Sequence, residues 1–338
     1  MRFVDQIWNG EGTAEQLART ALLPFEMLYR GTVAIRGQLY DRHVLETVAS
    51  DIPALSIGNL TVGGTGKTPI ASWFAGRIAH SGGKPAIVLR GYGGDEVMVH
   101  RTLTPGVEVI VDSDRAAGIR RAAESGATAA VLDDAFQHRR ASRQADVVIV
   151  SADAWTGRIR MLPAGPWREP LESIRRASIA LISRKVASEQ QAKEVALVLA
   201  RVAPNLPRAT VRLRMTECVA VGDPAKRQNV RELSGKRILA VSAIGDPGAF
   251  NDQLAQHGAE VHSLVYVDHH AYTAADVDEI IRQSWRSELI VCTLKDAVKL
   301  GPLWPAAAPP LWYVSQSLDV ELGLDAIDDI LAPFLVPK

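Results

Sequence analysis

Residues 54–69, ALSIGNLTVGGTGKTP, decide the fold of this chain. The stretch opens with the apolar segment Ala54–Ile57, which is typical of a β-strand that is buried on both faces. A glycine-rich loop follows, and Lys67 and Thr68 come directly after its last glycine. From about Lys67 to His80 the pattern becomes helical. The stretch therefore predicts a strand, a tight turn and a helix in direct succession.

A loop of this kind is suited to binding phosphate groups. Its glycines allow a tight turn in which successive N–H groups point at one anion, and the following helix N-terminus adds partial positive charge. Lys67 can reach the β- and γ-phosphates, and the Thr68 hydroxyl can ligate Mg²⁺. The strict pattern has glycine where this chain has Thr61, but the remaining GGxGKT is similar to a double-glycine variant of the P-loop. The predicted nucleotide site comprises Gly63, Gly64, Thr65, Gly66, Lys67 and Thr68.

Composition restricts the class of protein further. The 338 residues include 38 Lys+Arg and 38 Asp+Glu, so the formal charge is zero and nucleic-acid binding is disfavoured. The sequence has no apolar run long enough for a membrane-spanning helix and no signal-peptide pattern at its start. Cys218 and Cys292 lack metal-ligand spacing, which predicts buried thiols in a cytoplasmic protein. The glycine run at 91–94 lacks the third glycine of a dinucleotide fingerprint, so NAD is not expected.

The rest of the chain predicts an α/β fold, a P-loop NTPase-like parallel sheet sandwiched between helices. Short runs rich in Val, Ile and Leu alternate with helical patterns that begin near Lys67, Asp114 and Glu189. The expected strands are Ala54–Ile57, Ala86–Leu89, Val107–Val111, Ala129–Leu132, Val147–Val150 and Ile179–Ile182.

A second, smaller α/β lobe is expected in the later part of the chain. Strands are predicted at Ile238–Val241, Glu260–Val265 and Leu289–Thr293, with helices between them. Two flanking runs, Ala209–Val221 and Leu311–Leu318, are expected to pair as a two-stranded linker. The predicted domains are a P-loop lobe with the N-terminal segment at 1–208, the smaller lobe with the linker strands at 209–320, and a C-terminal helix at 321–338 that returns to the first lobe.

The N-terminal segment from about Ala14 to Tyr40 has a character of its own. Apolar residues recur along it with arginines between them, and Pro24 is expected to break it. One interpretation is an amphipathic helix that packs on its own domain, and the other is a surface that meets a membrane or lipid. The sequence leaves both open.

Two adjacent carboxylates, Asp133 and Asp134, end the expected strand Ala129–Leu132. In a P-loop fold, a strand beside the phosphate loop delivers an acid to the metal or to its water. Because two adjacent carboxylates repel each other unless a cation or donor lies near, we assign both to a Mg²⁺ site with Thr68. The polar segment that follows, residues 137–140, either holds phosphate charge or starts a solvated helix.

Several segments together resemble the tetraacyldisaccharide 4'-kinase (lipid A 4'-kinase) family. The phosphate loop at 56–69 is the first of them. The others follow in the same order over almost the whole chain: LRGYG at 89–93, GDE at 94–96, LDDAFQH at 132–138, LPAGPWREP at 162–170, DHH at 268–270 and TLKDAVKL at 293–300.

The resemblance implies a kinase that uses ATP and Mg²⁺. Members transfer the γ-phosphate to the 4'-hydroxyl of a tetraacyl glucosamine disaccharide 1-phosphate, a lipid A precursor, and have two α/β lobes joined by a two-stranded linker. The implied location is the cytoplasm, in peripheral association with the cytoplasmic face of the inner membrane. No obligate protein partner is evident from the sequence.

The resemblance also implies catalytic residues by motif. The acid pair of the family falls on Asp95 and Glu96, with Asp95 as the base, His269 as its helper from the second lobe, and Lys67 at the phosphates. A carboxylate within hydrogen-bond reach can accept the proton of a sugar hydroxyl as the new bond forms. Since the stretch before Asp95 is short here, Asp112 is the fallback for the base. The expected metal residues are Thr68, Glu96, Asp133 and Asp134.

Further residues are expected around the sugar head group. An arginine suits a phosphorylated sugar because its planar fork can bond two oxygens at once. Each charged residue of the set given below could instead form a surface ion pair. Arg115 is a weaker phosphate-contact candidate. The chain departs from the family at Ala135 and Leu294, where members often have Gly and usually have Glu. The substrate set is Arg90, Tyr92, Gln137, Arg168 and Glu169.

Two other functions remain open from the residues alone. One is another enzyme of the same P-loop branch, a GTPase metallochaperone or an amide-forming synthetase. The guanine motif NKxD is lacking, since Lys295 and Asp296 are adjacent, and so is a His- or Cys-rich tract. The other is a non-catalytic, nucleotide-regulated binding module, which would bind nucleotide without transferring phosphate to a sugar.

Overall fold

The computed structural model describes residues 2–91 and 94–335. Within these residues the chain divides into two compact units. Unit 1 comprises residues 2–91, 103–211 and 320–335, and unit 2 comprises residues 94–102 and 212–319. The domain boundaries expected from the sequence, at 208 and 320, stay a prediction. Residues 94–102, which that division left in the first lobe, lie in unit 2.

Helices and strands alternate along most of the chain. The α-helices are α1 (Arg2–Asn9), α2 (Thr13–Asp41), α3 (Lys67–His80), α4 (Asp95–Leu103), α5 (Arg115–Glu124), α6 (Glu189–Val202), α7 (Pro247–Gln256), α8 (Ala274–Gln283), α9 (Leu294–Leu300) and α10 (Leu324–Leu331). The strands are β1 (Ala54–Asn59), β2 (Pro85–Leu89), β3 (Glu108–Val111), β4 (Ala129–Asp133), β5 (Ala145–Ser151), β6 (Ile179–Arg184), β7 (Arg208–Ala220), β8 (Asp223–Asn229), β9 (Arg237–Ser242), β10 (Glu260–Val265), β11 (Leu289–Thr293) and β12 (Leu311–Leu322).

Unit 1 contains the parallel sheet that the sequence predicts. Its strands lie in the order β6-β5-β1-β4-β2-β3, and each neighbouring pair is parallel. β1, β2 and β4 are buried along their whole length, which explains their unbroken apolar runs. Because β1 lies between β5 and β4, the loop that follows β1 emerges in the middle of the carboxyl edge of the sheet, where open α/β sheets bind ligands. The predicted fold class and all six strands are confirmed.

The N-terminal helix α2 is continuous, so the break expected at Pro24 is wrong. A proline inside a helix removes one backbone donor and costs about 3 kcal/mol, and packing on unit 1 offsets this cost. The buried Glu26 accepts the Met161 N–H at 3.0 Å, and the Tyr29 hydroxyl donates to the Arg168 carbonyl at 3.1 Å. One face of α2 is therefore anchored, as the packed-helix interpretation expects.

Unit 2 has a sheet in the order β10-β9-β11-β12-β7, with β8 beside β7. β9 pairs in parallel with β10 and β11, and β11 pairs in parallel with β12. The expected strands β9, β10 and β11 are confirmed, as is the pairing of the linker strands β7 and β12. Three elements of unit 2 were not expected from the sequence: α4, α9 and β8. Strand β8 consists almost entirely of exposed residues.

Across residues 2–91 and 94–335, no helix combines the length and the apolar character that crossing a membrane requires.

Candidate active site

The phosphate loop connects the end of β1 to the start of α3. Gly63 has a φ of 108° and Gly66 a φ of 85°, a region that side-chain-bearing residues rarely adopt. These two positions therefore require glycine for conformational reasons. Gly66 is also the cap residue of α3 and has no side chain to bond to the first turn, as suits a helix N-terminus that binds an anion.

Side chains outside the predicted set hold this loop in place. The Asn59 amide donates to the Thr65 hydroxyl at 2.9 Å, and the Ser183 hydroxyl donates to the Thr65 carbonyl at 3.3 Å. Lys185 donates to the Gly64 carbonyl at 3.3 Å. Asn59 stands inside the motif quoted from the sequence, whereas Ser183 and Lys185 come from the end of β6 and give no local signal. The loop is thus tied to a strand two positions away in the sheet.

Two cations converge on Asp134. The Lys67 ammonium lies 3.8 Å from its Oδ1, and Arg168 donates to both of its carboxylate oxygens at 3.1 and 3.2 Å. Arg168 also contacts the Gln137 side-chain oxygen at 3.5 Å, and the Gln137 amide donates to the Asn59 carbonyl at 2.9 Å. The structure therefore brings together four of the predicted site residues, from three separate motifs. This group of charges is suited to an anionic ligand.

Asp133 and Thr68, two of the expected metal residues, belong to elements that adjoin the phosphate loop. Thr68 lies in α3, which follows the loop, and Asp133 lies in β4, which pairs with β1. Asp133 ends β4 in register with Ile57 of β1 and is 4% exposed. Thr68 lies in the first turn of α3 and is buried. Arg115, also buried, donates to the Asp133 carbonyl at 3.2 Å, which is a backbone contact and not the phosphate contact considered for it. Both oxygen-bearing side chains thus face the inside of unit 1.

Glu169 and Arg90, two other residues of the substrate set, have surroundings that differ from those of Arg168 and Gln137. Glu169 is buried and forms a two-pronged pair with Arg176, at 2.9 and 3.2 Å. Arg90 follows β2 and is exposed. Tyr92 lies outside the described residues.

A positive cluster surrounds His138. Burial lowers the pKa of this imidazole most, followed by the charges of Arg115 and Arg90, to about 4. Asp134 opposes this shift, and Arg36 of α2 adds to it. His138 is therefore neutral near pH 7, and the field of this part of unit 1 is positive.

The expected base and its helper meet within unit 2. Asp95 is the first residue of α4, and its side chain is 4% exposed. Its Oδ1 accepts the N–H of Glu96 at 3.1 Å, while His269 Nδ1 lies 3.3 Å from its Oδ2. His269 has a φ of 59°, an uncommon conformation for a residue with a side chain and one that clusters at functional sites.

The second acid of the pair has a cation of its own. The Lys295 ammonium lies 3.9 Å from Glu96 Oε1. Lys295 belongs to the TLKD segment, to which sequence reasoning gave no role. The fallback Asp112 lies in unit 1, where its Oδ1 accepts the Asp114 N–H at 2.9 Å and its Oδ2 lies 3.5 Å from Arg121. The carboxylate that His269 contacts is therefore that of Asp95.

Comparison with known proteins identifies the family. The model of the tetraacyldisaccharide-1-P 4'-kinase family matches residues 18–332. The chain belongs to this family. Membership makes the protein an ATP-dependent kinase of lipid A biosynthesis, as the resemblance in the sequence implied, and decides against the metallochaperone, synthetase and non-catalytic alternatives.

Individual relatives agree with this membership. A tetraacyldisaccharide 4'-kinase of Anaeromyxobacter dehalogenans (strain 2CP-C) is 37% identical to the kinase, covering 98% of this chain and 95% of its own. Another, of Syntrophus aciditrophicus (strain SB), is 33% identical, with coverage of 90% and 91%. In fold, the kinase is similar to a crystal structure of LpxK from Aquifex aeolicus in complex with ATP, with a TM-score of 0.73 and 24% identity, covering 94% of this chain and 100% of that one.

Proposed function

We propose that the kinase transfers the γ-phosphate of ATP to the 4'-hydroxyl of a tetraacyl glucosamine disaccharide 1-phosphate, with Asp95 as the base that accepts the hydroxyl proton. The observation that carries this proposal is the buried Asp95 carboxylate with the His269 imidazole 3.3 Å from it. A sugar hydroxyl is a poor nucleophile, and a carboxylate within hydrogen-bond reach accepts its proton as the bond to phosphorus forms. His269 orients that carboxylate, in the manner of other base–orienter pairs.

Unit 1 supplies the nucleotide site in this proposal. Backbone N–H groups of the loop at residues 63–68 would contact the phosphates, and the Lys67 ammonium would compensate the charge of the β- and γ-phosphates. In the described structure Lys67 faces Asp134 at 3.8 Å. We expect the phosphates of ATP to replace Asp134 as its main partner, because they carry more charge than one carboxylate.

Mg²⁺ is the proposed companion of ATP. Thr68 and Asp133 offer the hard oxygen ligands that this ion prefers. Among residues 2–91 and 94–335 no three acidic, His or Cys side chains group so as to hold a metal alone, so nucleotide oxygens complete the set. When bound, the ion neutralises charge on the β- and γ-phosphates. Asp134 and Glu96, which the sequence analysis also expected in this set, each have a lysine partner here, so Thr68 and Asp133 are the stronger candidates.

The sugar head group is proposed to contact the polar residues of the substrate set. Arg168 and Gln137 already contact each other beside Asp134, so both can reach the same ligand oxygens. The exposed Arg90 adds positive charge to the surroundings of His138. Glu169 has the weakest support, because its two oxygens are bonded to Arg176. Tyr92 completes the proposed set on the resemblance alone.

A peripheral position on the cytoplasmic face of the inner membrane is also proposed. Its support is the outer face of α2, where Phe25, Met27 and Leu28 are 61%, 74% and 72% exposed. Large apolar side chains exposed in this way are costly in water and gain free energy in a lipid interface. An acylated substrate residing in that interface would reach a protein that binds there.

A transfer assay tests the proposed activity. Purified protein is given γ-labelled ATP, MgCl₂ and the tetraacyl disaccharide 1-phosphate, and the lipid product is analysed for label at the 4' position. A 4'-deoxy acceptor is the matched control and should take up no label. Nucleotide binding without label transfer to the 4'-hydroxyl acceptor would contradict the proposal. Chelation of Mg²⁺ with EDTA should abolish transfer, and an undiminished rate would remove the ion from it.

A further inference from the structure

Asp296 lies at the centre of a buried hydrogen-bond network in unit 2. It is fully buried in the first turn of α9. Its Oδ1 accepts the Ala243 N–H at 3.0 Å and the Tyr272 hydroxyl at 2.9 Å, and its Oδ2 accepts the Thr293 hydroxyl at 2.5 Å. All three partners are donors, so a carboxylate with its acceptor-only oxygens satisfies them together.

This network reaches His269 through the backbone of a single residue, Ala243. The N–H of Ala243 is bonded to Asp296, and its carbonyl accepts the His269 N–H at 3.2 Å. A second link runs in parallel, since Lys299 donates to the His270 carbonyl at 3.0 Å and lies 4.0 Å from Asp296 Oδ1. The segment that carries His269 is thus fixed on both sides of the histidine by α9.

The topology of unit 2 explains why α9 can do this. Ala243 follows β9, His269 follows β10, and Thr293 ends β11. These strands are neighbours in the order β10-β9-β11 and run parallel, so their carboxyl ends meet at one edge. Asp296, one turn beyond β11, therefore ties the ends of three strands together.

The conformation of His269 requires such a support. A left-handed φ of 59° is sparsely populated for a residue with a side chain and persists only where the surrounding structure fixes it. The carboxylate of Asp296 is itself adapted to its buried position. Burial raises the pKa of Asp296, and the hydrogen bonds from Thr293, Tyr272 and Ala243 together with the Lys299 charge oppose that rise. An amide at this position would either direct its NH₂ group at the Ala243 N–H, which cannot accept, or reverse a bond to one of the hydroxyls, so the present set of three bonds would not be kept.

We infer that Asp296 is a positioning residue for phosphoryl transfer, which holds the His269 segment in the conformation where the imidazole contacts Asp95. This role rests on the proposed function, because it takes the Asp95–His269 pair as the group that accepts the proton. It also gives the TLKD segment a purpose, which neither its composition nor its spacing indicated.

The test is a double-mutant cycle between Asp296→Asn and His269→Ala in the full chain. Asp296→Asn alone should lower kcat at least tenfold, since displacement of a positioned group by about 1 Å costs on the order of 100-fold. KM for ATP should stay within twofold, because the nucleotide site lies in unit 1. In the His269→Ala background Asp296→Asn should cost less than twofold further, because the group it positions is gone.

Gln253→Ala is the matched control for a lost buried polar bond. Gln253 is buried in α7 of the same unit and donates to the Leu213 carbonyl at 2.9 Å. It should lower Tm and leave kcat unchanged. If Asp296→Asn does not fold, Thr293→Val, which removes one donor to Asp296, is tested in the same cycle by the same criteria.

The outcomes separate this inference from the proposed function. A wild-type kcat for Asp296→Asn, or losses that multiply fully with those of His269→Ala, would overturn the positioning role alone. A wild-type kcat for His269→Ala would overturn the proposed base pair and this role with it. A loss of kcat in Asp296→Asn that disappears in the His269→Ala background supports both.

Discussion

The imidazole of His269 lies 3.3 Å from the carboxylate of Asp95, and both residues belong to unit 2. Asp95 belongs to this unit because residues 94–102, which form most of the short helix α4, are part of unit 2. The chain up to residue 91 and from residue 103 to residue 211 belongs to unit 1. The acid pair and its histidine therefore belong to one unit, and the phosphate loop belongs to the other.

Asp95→Asn should lower kcat by a factor on the order of 10²–10⁴, because an amide cannot accept the hydroxyl proton. KM for ATP should change little, and steady-state kinetics with saturating acceptor measures both. Asp112→Asn is the competing variant, since Asp112 was the alternative base. Its carboxylate caps a backbone N–H and faces Arg121, so we expect a near wild-type kcat. A large loss in Asp112→Asn with an active Asp95→Asn would show that the base is misassigned.

Lys67→Ala should lower kcat by a factor on the order of 10²–10³, because the ammonium stabilises charge that develops on the transferred phosphoryl group. The fold should persist, since the Lys67 side chain faces Asp134 and is not part of the apolar core. Lys84→Ala is the matched control: its side chain is exposed in the same unit, and its removal should leave the rate unchanged. A Lys67→Ala enzyme as fast as wild type would refute the phosphate-loop assignment.

Unit 1 could be predicted from its sequence because its signals are local. Apolar runs such as Ala54–Ile57 and Ala129–Leu132 are buried on both faces, and the glycines at 63 and 66 are required by their φ values. Helix α4 could not be predicted in this way. It has only 9 residues, follows a glycine run and depends on packing in unit 2, which no local pattern reveals.

The contacts of the site show the same limit. Lys67, Asp134, Gln137 and Arg168 come from motifs that the resemblance pointed to, but their convergence follows only from the sheet order. The contact of His269 with Asp95 likewise depends on the path of the chain into unit 2. Helix α2 continues through Pro24 because the contacts of Glu26 and Tyr29 with unit 1 stabilise it, and the local sequence does not reveal those contacts.

Acidification should destabilise the protein through His138. Its pKa is lowered from 6.5 to about 4 in the folded state, so between these values the unfolded chain binds a proton that the folded chain does not. The contribution of His138 to the free energy of unfolding is therefore fully present above about pH 6.5 and falls as the pH drops below that value. The loss levels off below about pH 4. Because the side chain is only partly buried, solvent screening limits the effect to on the order of 1 kcal/mol.

Comparison with His138→Gln isolates this contribution from the carboxylates that titrate in the same range. Urea unfolding at pH 7 and pH 5 gives the loss of unfolding free energy for each protein. The wild type should lose more than the variant over this interval. Equal losses would mean that His138 titrates alike in the folded and unfolded chains.

Replacing the exposed apolar residues of α2 should weaken membrane association. In a Phe25→Ser, Met27→Ser, Leu28→Ser variant the helix should stay packed, because its other face is held through Glu26 and Tyr29. Each large apolar side chain gains about 1.5–3 kcal/mol on full burial, so loss of even partial insertion of three predicts at least tenfold weaker partitioning. Sedimentation with phosphatidylethanolamine–phosphatidylglycerol vesicles measures the bound fraction.

The control for that experiment removes apolar surface elsewhere. Leu197 and Trp285 are 60% and 72% exposed on other elements, and Leu197→Ser with Trp285→Ser should leave vesicle binding unchanged if α2 is the membrane-facing surface. Transfer to a detergent-dispersed acceptor should also be similar in the α2 variant and the wild type, because the substitutions lie outside the phosphate loop and the Asp95–His269 pair. Equal vesicle binding by the wild type and the α2 variant would instead favour a helix whose only role is to pack on unit 1.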